Sequence, residues 1–90
     1  MNIIRDIAFS AQLHGVLKLI AKDKVSAALR FEKELSKRIK TLVAFPYQCR
    51  VSYYFEDKSY RDLIYQGYTI IYKVEKERII ILEIFKWQDR

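Results

Sequence analysis

The ninety-residue chain contains one cysteine (Cys49), one proline (Pro46), one histidine (His14) and two glycines (Gly15 and Gly67). Each scarcity excludes something. A lone cysteine rules out an internal disulfide framework and fits a reducing cytoplasm. One Cys and one His leave no ligand cluster for a metal, so neither a metal nor another cofactor is expected. With so little Gly and Pro there is no linker or low-complexity stretch. No apolar run approaches the ~20 residues that span a bilayer, and no basic-then-apolar leader opens the chain. A soluble cytoplasmic protein with no membrane partner is expected. Acidic residues are also in deficit: eleven Asp and Glu stand against seventeen Lys and Arg, leaving +6 at pH 7. Such an excess on a small body points to an acidic partner, either nucleic acid or protein.

What is abundant is apolar side chain, 51% of the chain. That is enough for one domain with a thin core. The organising stretch is Tyr68 to Phe85, where two β-branched and aromatic runs flank Glu75-Lys76-Glu77-Arg78. This predicts two strands joined by a tight, solvated turn. In the second run Ile79, Ile80, Ile81, Leu82, Ile84 and Phe85 are apolar on both alternating faces. Such a strand belongs inside a sheet, not at its edge.

Upstream, Ile3 to Phe9 predicts a first strand burying Ile3, Ile7 and Phe9, and Ser10 can cap the helix that follows. There Leu13, Val16, Leu17 and Ile20 recur at helical spacing, with Gly15 a weak point. Asp23 can cap a second helix from about Lys24 to Val43, with Ala28, Phe31, Leu35, Ile39 and Leu42 on one face and Val25 and Val43 beside it. Its far side carries Arg30, Lys33, Lys37 and Lys40, read either as a solvated face, with Glu34 pairing to Arg30 or Arg38, or as a binding stripe. Leu29 sits at the edge of that basic face. Pro46 ends the helical region. Val51 to Tyr60 is aromatic-rich and left unassigned, Tyr60 to Tyr65 reads as a strand, and Gln66-Gly67 as a turn. The expected architecture is α+β: an N-terminal strand and a two-helix hairpin packed on a twisted antiparallel sheet of about four strands, in a single domain over residues 1–90.

Several segments together carry a family resemblance. They are Ala27-Ala28 with Arg30-Phe31, then Leu42, Phe45-Pro46 and Arg50, then Arg61-Asp62-Leu63, Gly67-Tyr68 and Ile71-Tyr72-Lys73-Val74, and finally Ile79, Ile81-Leu82 with a basic, aromatic tail. In this order and spacing the chain resembles toxins of the RelE/ParE superfamily of bacterial type II toxin–antitoxin systems. The resemblance implies a toxin neutralised by a cognate acidic antitoxin, with either of two targets. Members resembling RelE cut mRNA on the ribosome, which needs proton-transfer groups and cations around the scissile phosphate. At the position of their Arg after Gly-Tyr this chain has Thr69. The preceding strand offers only Arg61, and the tail Lys86-Trp87-Gln88-Asp89-Arg90 lacks His and Tyr. Members resembling ParE lack that set and poison DNA gyrase by a protein contact, and this chain sits nearer them.

The candidate residues follow from both readings. Arg50, Arg61, Lys73, Lys86, Trp87 and Arg90 are candidates for contacting a target or nucleic acid. If the chain cleaves RNA, Arg61, Lys73, Lys86 and Arg90 would hold the phosphate. Arg61 could equally pair with Asp62 or Glu56, and Trp87 could be a core lid. Lys73 and Thr69 are expected on an exposed, concave sheet face opposite the helices. Leu29, Tyr53, Tyr54 and Phe55 offer apolar surface for the antitoxin. His14 and Cys49 have no partners in sequence for catalysis.

Overall fold

The computed structural model of the chain describes residues 1–86. Strand β1 spans Asn2–Arg5, helix α1 Ile7–Asp23 and helix α2 Val25–Lys40, followed by a 3-10 turn at Thr41–Val43. Strands β2 (Arg50–Val51), β3 (Tyr60–Tyr65), β4 (Tyr68–Val74) and β5 (Arg78–Lys86) complete the chain. The sheet order is β1-β5-β4-β3-β2. β2 to β5 form an antiparallel meander, and β1 joins the open side of β5 in parallel. The expected α+β architecture holds, with a fifth strand and one parallel pair. The parallel pair follows from the chain path. Returning from β1 through two helices and a meander brings β5 alongside β1 in the same direction.

The first strand is shorter than its apolar pattern suggested. Asp6 ends it, not Ser10: the Asp6 carboxylate accepts from the Ala8 N–H at 2.8 Å and caps α1. Helical geometry then turns Phe9 fully inward and leaves Ile7 87% exposed. At the hairpin between the helices, Lys24 occupies the cap position of α2 without a side-chain bond, so Asp23 does not serve there. The α2 stripe Ala28, Phe31, Leu35 and Ile39 is buried as its spacing requires, and Leu42 continues it from the 3-10 turn. The helices cover one face of the sheet, meeting Leu63 and Tyr65 of β3, Tyr68, Ile70, Tyr72 and Val74 of β4, and Ile79, Ile81 and Ile84 of β5. In β5 the alternation slips because Ile71 pairs with Glu83 but Tyr72 with Ile81, which leaves Leu82 as a bulge residue. Beyond the end of β1 the exposed side of β5 is capped by Gln12, whose Oε1 accepts from the Ile84 N–H at 2.8 Å.

Tyr72 ties the sheet to the segment after α2. Its hydroxyl donates to the Pro46 carbonyl at 2.8 Å, and the ring is fully buried. Burial, and then the Cys49 thiol beside it, push the phenol well above its ordinary value of 10.0. The unfolded chain therefore releases this proton near pH 10 while the folded chain keeps it, so stability is intact below pH 10 and falls above it. The decline is expected to reach at most about 1 kcal/mol per pH unit, trimmed by water at the loop edge. Tyr72→Phe should be less stable at pH 7 by about 1–3 kcal/mol, because the Pro46 carbonyl loses its donor. Its denaturant midpoint should also fall less steeply than the parent's between pH 10 and 11.5. Parallel slopes would remove Tyr72 as the cause.

Candidate functional site

The sheet face away from the helices is not the bare cationic surface that alternation suggested. Register puts Arg50, Asp62, Ile71 and Glu83 in one row across this face, and Ile64, Thr69 and Phe85 in the next. The segment between β2 and β3 folds back over it. Tyr54 meets Phe85 edge-on at 5.4 Å between centroids, and Phe55 stacks on Tyr60 at 4.1 Å. Ile71 and Thr69 are consequently buried, Thr69 to 1% exposure. The expectation of an exposed Thr69 fails because alternation assigns a side chain to a face but not what lies over that face.

The cations of this face are engaged. The guanidinium of Arg50 donates to Asp62 Oδ2 at 3.3 and 3.4 Å and lies 3.8 Å over the Tyr53 ring. Asp62 also accepts from the Tyr53 N–H at 3.1 Å, pinning the start of the β2–β3 segment to β3. Lys73 reaches Glu75 at 3.7 Å and lies 5.2 Å from the Tyr60 ring centroid. Glu75 also accepts from Arg78, and that bond above all holds its carboxyl below the usual range. Beside Arg50 and Tyr53 is a small apolar hollow of about 260 Å³, floored by Ile64, Gly67 and Thr69. Asp62 Oδ1 and Thr69 Oγ1 are buried here without a hydrogen-bond partner among the described residues.

Arg61 pairs in register with Tyr72 and so belongs to the helix side. It neither meets Asp62 nor pairs with Glu56. Its guanidinium donates to the carbonyls of Lys58 (2.8 Å), Cys49 (3.1 Å) and Tyr47 (3.4 Å) and lies 4.8 Å over the Tyr47 ring. A planar fork that satisfies three carbonyls organises a loop. Lys86 is opposite Tyr68, also on the helix side but at the far end of β4, 5.9 Å from that ring's centroid. The fold thus separates the proposed cations: Arg50 and Lys73 on one face, Arg61 and Lys86 at opposite ends of the other. Trp87 and Arg90 lie outside the described residues.

A second site, missed in the sequence, lies where α2 crosses the β3–β4 turn. It is a cleft of about 380 Å³ with Ile20, Phe31, Tyr65 and Tyr68 at its base and Arg30, Gln66 and Lys86 at its rim. Phe31 meets Tyr65 and Tyr68 edge-on at 5.1 and 5.5 Å. Arg30 was legible as part of a basic stripe, but nothing in the spacing joined it to Lys86, fifty-six positions away. Of the residues proposed to meet an antitoxin, Leu29 is 64% and Tyr53 73% exposed, on opposite sides of the molecule, while Tyr54 and Phe55 are half-buried. Glu34 pairs with Lys37 at 3.5 Å, not with Arg30 or Arg38. His14 is exposed, and among the described residues no His, Cys, Asp and Glu side chains cluster to hold a metal. No described helix is long and apolar enough to cross a membrane.

Three comparisons bear on this arrangement. The family model described as the ParE toxin of the type II toxin–antitoxin system parDE matches residues 6–89. Among solved structures, the chain is similar to one from the chromosomal ParDE toxin–antitoxin system of P. aeruginosa, with a TM-score of 0.77 at 21% identity over 96% of this chain and 95% of that one. It is also similar to a conserved hypothetical protein from Helicobacter pylori, with a TM-score of 0.55 at 16% identity over 98% and 96% of the two chains. No curated protein matches the sequence.

Proposed function

This chain belongs to the ParE toxin family of type II toxin–antitoxin systems, and from that premise we propose that it arrests bacterial growth by binding DNA gyrase and is neutralised by a cognate acidic antitoxin. The observation that most supports a toxin acting by contact is the dispersal of its cations. Cleaving RNA needs several positive groups and a proton-transfer pair around one phosphate. Here Lys73 and Lys86 are on opposite faces of the sheet, and Arg61 is committed to three loop carbonyls. The position after Gly67-Tyr68 is Thr69, buried and uncharged. A protein contact makes no such demand. It needs a rigid body with exposed apolar and cationic groups, which Tyr53, Leu29 and the α2 stripe supply.

Purified protein added to gyrase in stoichiometric excess is expected to block supercoiling or trap cleaved DNA. Induction in cells without the antitoxin should halt growth. No effect on gyrase, together with cuts between codon positions in primer extension on translated messages, would replace this reading with a ribosome-dependent endoribonuclease. An Arg61→Ala, Lys86→Ala double variant that cut as well as the parent would then remove those two residues from the chemistry. Normal growth on induction would leave a degenerate toxin that retains antitoxin binding alone.

A further inference from the structure

We propose that the β2 edge of the sheet is the surface that contacts gyrase, with Tyr47 and Tyr53 as rigid ring anchors on either side of it. The inference rests on the gyrase reading above. It adds the contact surface and its chemistry, an aromatic edge without net charge that enters a groove in the target protein.

Three observations lead there. The first is where the exposed rings are. Among the described residues six rings have a Lys or Arg cation between 3.8 and 5.9 Å from their centroids. Phe9, Tyr65 and Tyr68 are buried and Tyr60 is half-buried, whereas Tyr47 is 55% and Tyr53 73% exposed. These two flank β2. Tyr53 lies against Arg50 on the helix-free face, and Tyr47 against Arg61, whose strand position faces the helices. Between them Val51 is exposed. The Ser52 N–H donates to the Tyr60 carbonyl at 2.9 Å, so alternation turns the Val51 N–H and carbonyl away from β3, out of the sheet.

The second observation is rigidity. Asp62 holds both the Tyr53 N–H and the Arg50 guanidinium that lies over the Tyr53 ring. Arg61 donates to the carbonyls of Tyr47, Cys49 and Lys58, and the Tyr72 hydroxyl fixes Pro46, next to Tyr47. Rings fixed in advance have little freedom left to lose on binding, and Tyr and Arg are the types that most often anchor an interface. The third is charge. Residues 45–62 hold six Tyr and Phe, yet Arg50, Lys58 and Arg61 are matched by Glu56, Asp57 and Asp62, so the rest of the chain carries the whole +6. An acidic peptide or a phosphate backbone is drawn to that remainder. Dense Tyr, Phe and Arg without net charge is the composition of the centre of a protein contact. Because the two rings belong to opposite faces of the sheet, the partner meets both with a groove rather than a flat surface.

The test uses the full chain and purified gyrase, with inhibition of supercoiling on relaxed plasmid and direct binding by interferometry. The Tyr47→Ala, Tyr53→Ala double variant is expected to weaken both by about thirtyfold or more. Tyr47→Phe, Tyr53→Phe keeps the rings and should retain most of the affinity. Val51→Glu leaves the rings and the guanidinium bonds in place but carries a charge into the groove, and should weaken binding by at least about tenfold. Ile7→Ala, Leu19→Ala, at exposed positions of α1, which follows the opposite edge of the sheet, should stay within about threefold of the parent. Melting curves check folding. If the alanine pair melted well below the parent, Val51→Glu, at an exposed position, would decide the matter alone. Undiminished inhibition by folded Tyr47→Ala, Tyr53→Ala or by Val51→Glu would overturn the edge. Parallel losses would then reassign it: binding of the acidic neighbour to the antitoxin, self-association in light scattering to a second copy, binding of a DNA duplex to nucleic acid. A parent without effect on gyrase is a separate failure, and would overturn the gyrase reading and the edge with it.

Discussion

Phe9→Ala is expected to cost about 3–5 kcal/mol of folding stability, the range for emptying a phenylalanine site in a packed core. Phe9 is fully buried in the first turn of α1, where the helix meets the sheet, and the Arg5 guanidinium caps its ring at 5.5 Å. The site cannot collapse easily, because Asp6 bonds to the Ile81 carbonyl on one side of it and Gln12 grips Ile84 on the other. A domain of this size holds roughly 5–13 kcal/mol in total, so the loss takes a large share. The melting temperature should fall by about 15–30 °C at an unchanged urea m-value. Leu19→Ala, on the exposed side of the same helix, should shift stability by no more than about 0.5 kcal/mol. A Phe9→Ala loss below about 1 kcal/mol would mean that α1 does not bury this ring.

Asp62→Ala is the second large expected effect, about 2–4 kcal/mol. Asp62 is 2% exposed and its carboxylate accepts from both Arg50 and the Tyr53 N–H. Removing it leaves a half-buried guanidinium and a backbone N–H without acceptors, which is costlier than the pair is worth when intact. The damage is local as well. The β2–β3 segment loses its tie to β3, so trypsin should cut after Lys58 faster in the variant than in the parent under native conditions. Asp62→Asn keeps the shape and one acceptor and should recover part of the loss. If Asp62→Ala resisted trypsin as the parent does, the tie would be in the Tyr54–Phe85 and Phe55–Tyr60 ring contacts instead.

The two large effects differ in how visible they were in the sequence. Phe9 was assigned to the core, but through the wrong element: alternation from Ile3 to Phe9 suggested a strand, and only the Asp6 cap makes the same ring the first buried residue of a helix. The α2 stripe, the β3–β4 turn at Gln66-Gly67 and the interior place of β5 in the sheet were legible because each depends on a local period or a turn dipeptide. The positive φ of both turn residues, 49° and 81°, is what the tight connection demands. The Arg50–Asp62 pair was not legible. Sequence offered Arg61, next to Asp62, but adjacent strand residues point to opposite faces, and the partner comes from a different strand.

By itself the sequence determined the layers, the helix hairpin over a strand meander, the positive charge, and the family, because these follow from hydrophobic periods and from residue types in order. Only the tertiary structure decided which cations share a surface. Strand register and the bulge at Leu82 put Lys73 and Lys86 on opposite faces, and the fold of the β2–β3 segment buried Thr69. The physical reason is that a side chain's face is set locally, whereas its neighbours on that face are chosen by strand pairing between distant segments, which no short window of residues contains.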